Sequence, residues 1–77
     1  MPNETVPEDG YLKQQKYLGL VNGQRLWTND DGDYFTWDRM HGEIEWYNRN
    51  GYHLGVRDSI TGDLIKPAKK GRTINVR

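Results

Sequence analysis

The chain of 77 residues contains no cysteine. No disulfide can staple it, no thiolate can bind a metal, and the absence suits a reducing compartment without requiring one. There are only three prolines, and no apolar run approaches the roughly 20 residues of a membrane-spanning helix. The opening, Met1-Pro2-Asn3-Glu4, lacks the basic and apolar regions of a secretory signal. The expectation is a soluble chain with no membrane partner and no export address of its own. Net charge is also missing, since 11 Lys and Arg offset 11 Asp and Glu. Hydrophobic residues make up only 34% of the sequence. One small domain with a compact core is all such a chain can build, and at this size it is marginal. That puts weight on what is present: three Trp, five Tyr and one Phe. Each ring buries about 150–250 Å² when interior. Trp37 and Trp46 are the stronger core candidates and Trp27 the weaker, because an exposed Trp could also stack on RNA bases.

The balanced charge is unevenly spread. Residues 1–10 carry Glu4, Glu8 and Asp9 and no base, whereas Lys13, Lys16 and Arg25 make the next stretch positive. Residues 30–58 are acidic again, and the end is basic through Lys66, Lys69, Lys70, Arg72 and Arg77. A basic end suits phosphates; chance segregation in so short a chain would look much the same.

Turn residues recur at regular spacing. Residues 1–10 read as a flexible tail or extended arm. A weak apolar spacing predicts a short helix at 12–17. Strands are predicted at 24–28, 34–38, 43–48, 52–57, 63–66 and 72–76. Between them lie Asn29-Asp30-Asp31-Gly32, a bend at 39–42, Arg49-Asn50-Gly51, a turn at 58–62 and a basic loop at 68–71. The fold class is therefore mainly β: a small, strongly twisted antiparallel sheet of successive hairpins with a short N-terminal helix or arm. A three-residue loop closed by Gly51 would pair Tyr47 with His53, Trp46 with Leu54 and Ile44 with Val56. Ile44, Trp46, Leu54 and Val56 would then share a core face, opposite Glu43, Glu45, Tyr47, His53 and Arg57.

The densest chemistry lies in Trp37-Asp38-Arg39-Met40-His41-Gly42-Glu43-Ile44-Glu45, with three carboxylates, a histidine and a glycine at the bend. Cleavage of RNA through the ribose 2′-hydroxyl needs a base for that proton, an acid for the departing 5′-oxygen and a cation for the charge on the phosphate. Glu45 is the candidate base, His41 the acid and Arg72 the cation. Asp38 would orient His41 and favour its charged form, with Glu43 as possible support. Lys66, Lys69 and Lys70 are the candidate RNA-binding residues. The residues alone leave other readings open. Asp38, His41 and Glu45 could ligate a metal, a weak case with two histidines and no cysteine. They could equally be an exposed strand face with a turn histidine. His53, mid-strand, reads as a structural hydrogen bond.

This run resembles the cytotoxic ribonuclease domain of the ribosome-targeting colicins and cloacin. The family carries a W-D-x-x-H-G-E-[IL]-E-x-Y run, which residues 37–47 match. Trp27-Thr28 stands ahead of it and His53-Leu54-Gly55 behind it. The D-x-x-T-G-x-x-[IL]-K run matches residues 58–66, and R-x-I matches Arg72-Thr73-Ile74. The likeness covers about residues 24–77. It implies a twisted antiparallel sheet and a single cut in small-subunit ribosomal RNA at the decoding A site, which stops translation. It implies no metal and no cofactor, and puts catalysis on Asp38, His41, Glu45 and Arg72. The implied partners are the small ribosomal subunit with its RNA and an acidic immunity protein or antitoxin. The site of action would be cytoplasmic, with release as part of a bacteriocin as one route. The expected division is an N-terminal arm at 1–22, partly flexible, and the ribonuclease domain at 23–77. Two departures stand out. The family domain is strongly basic, whereas this chain is neutral, and Gly23-Gln24-Arg25-Leu26 stands where the family has a Lys/Arg run. A non-catalytic RNA- or protein-binding β module, or a general ribonuclease of a toxin–antitoxin pair, are the alternatives.

Overall fold

A computed structural model describes residues 4–75. One sheet of six antiparallel strands dominates: β1 (Lys16–Val21), β2 (Gln24–Thr28), β3 (Tyr34–Asp38), β4 (Glu43–Tyr47), β5 (His53–Arg57) and β6 (Leu64–Pro67). Spatial order follows chain order, so each strand pairs with its sequence neighbours. The mainly β expectation holds. The helix expected at 12–17 does not form. A single 3₁₀ turn covers Tyr11–Gln14, and the chain then enters β1. The reason lies one step further on. Asn22 and Gly23 both have positive φ, 53° and 79°, which matches the two-residue turn that suits the twist of a hairpin. That turn pairs β1 with β2, so the sheet begins ahead of residue 23, the expected domain start. No helix among the described residues is long and apolar enough to cross a membrane.

Alternation divides the sheet into two faces. On one, Trp27, Phe35 and Ile44 are buried together with Leu12 from the N-terminal segment. Each such aliphatic or Phe side chain, fully buried, contributes about 1.5–3 kcal/mol. Val6, Tyr11, Trp37 and Trp46 pack around this cluster. Residues 4–15 cross this face as a strap, tied down by three hydrogen bonds. The Glu4 N–H donates to the Arg39 carbonyl at 2.8 Å and the Tyr11 N–H to the Ser59 carbonyl at 2.9 Å. The Trp37 indole N–H donates to the Glu4 carbonyl at 2.8 Å. Trp27, the least expected of the three tryptophans in the core, is buried, whereas Trp37 and Trp46 are half-buried.

The β4–β5 register corrects the expected one. Tyr47 does pair with His53, but Trp46 then pairs with Gly55, Glu45 with Val56 and Ile44 with Arg57. Leu54 is an extra residue in β5, a bulge, and one extra residue exchanges the faces of everything beyond it. Val56 therefore joins Glu45, not Ile44 and Trp46. Arg57 moves to the core face, where its guanidinium lies 3.9 Å from the Trp46 ring centroid and donates to the Gly62 carbonyl at 2.8 Å. Gly55 makes the bulge feasible: its φ is +152°, and a Cβ there would stand 2.7 Å from the Lys66 carbonyl oxygen.

The last strand, expected at 72–76, is reduced to an isolated bridge between Tyr52 and Thr73; Val76 and Arg77 lie outside the described residues. Two backbone bonds are among those that hold the segment. The His53 N–H donates to the Arg72 carbonyl at 3.0 Å and the Ile74 N–H to the Gly51 carbonyl at 2.9 Å. This short pairing brings Arg72 beside the second face of the sheet.

Candidate active site

The second face carries the row Leu26, Thr36, Glu45 and Val56, set by the pairings of β2 through β5. Glu45 and His53 are both buried there. The bulge is what allows this. Before it His53 lies opposite Tyr47, and after it Val56 lies opposite Glu45, all on one face. Glu45 Oε1 accepts two hydrogen bonds, from His53 Nε2–H at 2.8 Å and from Arg72 Nη1–H at 2.9 Å. Oε2 takes part in neither. Two residues along β4 on the same face, Tyr47 is also buried. Burial and the nearby Glu45 charge push its phenol up, which keeps it neutral, against a smaller pull from Arg72 and a hydrogen bond with Thr36.

Asp38 ends β3 and organises the bend that follows. Its Oδ1 accepts the N–H groups of Met40 at 3.1 Å and His41 at 3.3 Å. Its Oδ2 accepts His41 Nδ1–H at 2.7 Å. Gly42 closes the bend at φ +65°, a conformation that favours glycine, and its N–H donates to the Asp38 carbonyl at 2.8 Å. Burial by itself pushes the Asp38 carboxyl up, but the His41 imidazole and the His41 and Met40 amides outweigh it and bring it below its ordinary value. An ionised carboxylate only accepts, so His41 carries a proton on Nδ1, and Nε2 is the nitrogen left for other chemistry.

Asp38, His41, Glu43, Glu45 and Arg72 line one cleft of about 260 Å³, together with His53. A neighbouring cleft of about 430 Å³ shares Asp38, Glu45 and Arg72 and extends toward Gln24 and Tyr47. The four expected catalytic side chains thus border a common space. Glu43, across from Asp38 in the β3–β4 ladder, accepts from Lys66 Nζ at 2.9 Å. That bond holds the Lys66 ammonium above its ordinary value. Lys66 is therefore engaged with an acid of the protein, while the Lys69 and Lys70 side chains are exposed on the loop before Arg72. The three side chains considered as metal ligands do not converge: among the described residues no group of three His, Asp or Glu is placed to hold a metal ion.

The sequence model of the family described as Cytotoxic matches residues 4–75, nearly the whole chain. The chain belongs to the cytotoxic-domain family of the ribonuclease-type colicins. It is a toxin domain. No curated protein sequence matches it. The family match begins at residue 4, so this cytotoxic domain takes in the strap and β1 as well as the strands that carried the resemblance. What sequence reasoning missed in it is the depth of His53, whose side chain is 1% exposed. A signal existed, because the pairing of Tyr47 with His53 already set His53 on the face of Glu45. The other bond of His53 had none: its Nδ1 accepts the backbone N–H of Lys69 at 2.8 Å, and a main-chain donor leaves no mark in the sequence.

Proposed function

We propose that this cytotoxic domain is a metal-independent endoribonuclease that cuts small-subunit ribosomal RNA at the decoding A site and so stops translation. The observation that carries the reading is the Glu45 carboxylate, held by Arg72 and His53 within one cleft that also holds the Asp38–His41 pair. Glu45 removes the proton of the 2′-hydroxyl through Oε2. The 2′-oxygen attacks the adjacent phosphorus, and the bond to the 5′-oxygen breaks. His41 delivers a proton to that oxygen from Nε2, while Asp38 fixes the ring through Nδ1. Arg72 stabilises the negative charge gathering on the phosphate. The products are a 2′,3′-cyclic phosphate and a 5′-hydroxyl. Lys69 and Lys70 hold flanking phosphates, with Lys66 contributing once it leaves Glu43. The domain acts in the cytoplasm of a target cell, and an acidic immunity protein or antitoxin keeps it silent elsewhere.

The test is a gel of small-subunit RNA from ribosomes treated with the domain in the presence of a chelator. One discrete cut, abolished by a 2′-deoxy substitution at the cut site, is the expected result. Cutting of the deoxy substrate, or full dependence on added metal, overturns the mechanism. The neutral charge of the chain favours one second reading, a ribonuclease with weaker ribosome engagement. Equal cutting of naked RNA and of intact ribosomes would support it.

A further inference from the structure

His53 bonds to two parts of the site at once, the Glu45 carboxylate and the backbone of the loop that leads to Arg72. Its Nε2 faces Glu45 Oε1 at 2.8 Å. Its Nδ1 faces the Lys69 N–H at 2.8 Å. A backbone amide can only donate, so Nδ1 is bare and the single ring proton sits on Nε2. That is the tautomer that donates to Glu45, and the loop selects it. The side chain is 1% exposed, and its ring packs edge-on against Tyr47 with centroids 5.2 Å apart. Water therefore does not compete for either nitrogen, and rotation of the ring would break both bonds. The His53 backbone adds a third tie, since its N–H donates to the Arg72 carbonyl. Arg72 in turn reaches the same Oε1 atom of Glu45 at 2.9 Å. The result is a closed circuit: Glu45, His53 ring, Lys69 amide, the loop to Arg72, and back to Glu45.

We infer that His53 is a positioning residue that pins the Glu45 carboxylate to the basic loop at 68–71, fixing the base through Nε2 and the phosphate-holding loop through Nδ1. It takes no proton from the substrate. Its Nε2 proton fills one side of Oε1 as Arg72 fills the other, and this aims Oε2 as the oxygen that can accept the 2′-hydroxyl proton. Its Nδ1 sets where Lys69, Lys70 and Arg72 stand relative to that oxygen. The inference rests on the ribonuclease reading for its kinetic part and on hydrogen bonding alone for its tautomer part.

Two substitutions separate the two ends of the ring. In His53→Asn the side-chain oxygen stands near the Nδ1 position and can accept from Lys69, but nothing reaches Glu45. In His53→Gln the longer amide can donate to Glu45, but nothing accepts from Lys69. A hydrogen bond to a charged group removed from a buried carboxylate is worth about 1.5–3 kcal/mol, or roughly 10- to 150-fold. His53→Asn should lower kcat for RNA cleavage by that range with KM near the wild-type value. His53→Gln should retain kcat to within about tenfold while KM rises several-fold, because the loop is no longer held. Melting temperatures measured alongside remove variants that have unfolded. A melting point lowered in both variants with unchanged kcat and KM would make His53 merely structural and overturn the inference, as would equal losses of kcat with no split. Imidazole ¹⁵N spectra of the unmodified domain test the tautomer independently of activity. A proton on Nε2 and none on Nδ1 is expected. A proton on Nδ1 refutes the pin even if the domain cuts RNA as proposed, and a domain that leaves RNA intact while showing the expected tautomer refutes the ribonuclease reading and removes the kinetic role.

Discussion

The protein contains two carboxylate–imidazole pairs of nearly equal length, Asp38–His41 at 2.7 Å and Glu45–His53 at 2.8 Å. They differ in almost everything else. The first is local, three residues apart within one bend, and its imidazole is 65% exposed. The second spans neighbouring strands, and its imidazole is 1% exposed. In the first, a carboxylate orients a ring whose other nitrogen is accessible to solvent. In the second, a ring whose other nitrogen is occupied orients a carboxylate. The same two functional groups thus serve opposite ends: one arrangement suits moving a proton, the other suits preventing movement. Exposure and the partner of the second nitrogen decide which.

The sharpest way to break this comparison is to remove the acceptor or the charge at the buried end. Glu45→Gln keeps shape and hydrogen bonding but cannot take a proton, and should lower the cleavage rate by about 10²–10⁴-fold. Arg72→Ala should cost about 10²–10³-fold through lost stabilisation of phosphate charge. Single-turnover cleavage of ribosomal RNA measures both, and a near wild-type rate for Glu45→Gln would move the base elsewhere. At the exposed end, His41→Ala should cost a comparable factor of about 10²-fold or more, with little change in melting temperature because its ring buries little. If His41→Ala melts much lower than His53→Ala, the division into a working pair and a holding pair fails.

A smaller effect sharpens the contrast energetically. Thermal unfolding of single and double alanine variants gives the coupling within each pair. For Asp38 with His41 it should fall in the range of exposed ion pairs, about 0.2–1 kcal/mol. For Glu45 with His53 it should exceed that, toward the roughly 1.5–3 kcal/mol of hydrogen bonds to a charged group. The smallest effect concerns pH. Asp38 binds its proton less readily folded than unfolded. The stability it contributes is therefore full above the ordinary carboxyl value of 3.8 and is lost as pH falls through the lower folded value. Melting temperature recorded from pH 5 downward should fall more steeply for the wild type than for Asp38→Asn; parallel curves would show that Asp38 carries no such linkage.

How far the sequence revealed this arrangement depends on how local each feature is. The Asp38–His41 pair was readable because one bend contains it, and strands β2 and β3 were readable with their bounds because turn residues flank them. Arg72 was expected as the cation, but its bond to Glu45 spans 27 residues and depends on a bridge too short to show a strand pattern. The bulge at Leu54 was invisible, since the run His53-Leu54-Gly55-Val56-Arg57 alternates as plausibly without it. Arg57 illustrates the cost of that error. The unbulged register places it on the polar face beside Glu43 and Glu45, while in the structure its planar cation lies over Trp46 on the core face, where the ring replaces part of its lost hydration. Strand β1 overlaps the stretch whose weak spacing suggests a helix, and its mark in the sequence is the Asn22-Gly23 dipeptide, a hairpin-turn signal with the stronger physical basis.

The chain-ordered sheet has a consequence for how the domain is assembled. Each hairpin closes through contacts only a few residues apart in sequence, the kind that form early and quickly during folding. The ties that complete the cleft are different: the Arg72 segment must come back to β5 after β6 has been laid down, and the Lys69 amide must find His53. On contact order alone, the groups that line the cleft should come together late in folding, onto a sheet that has already formed. Opening runs in the reverse order, and the amides of Lys69 and Ile74 should exchange with solvent before those of β3 and β4. A domain refolding from the unfolded state would regain its sheet first and its cleft last.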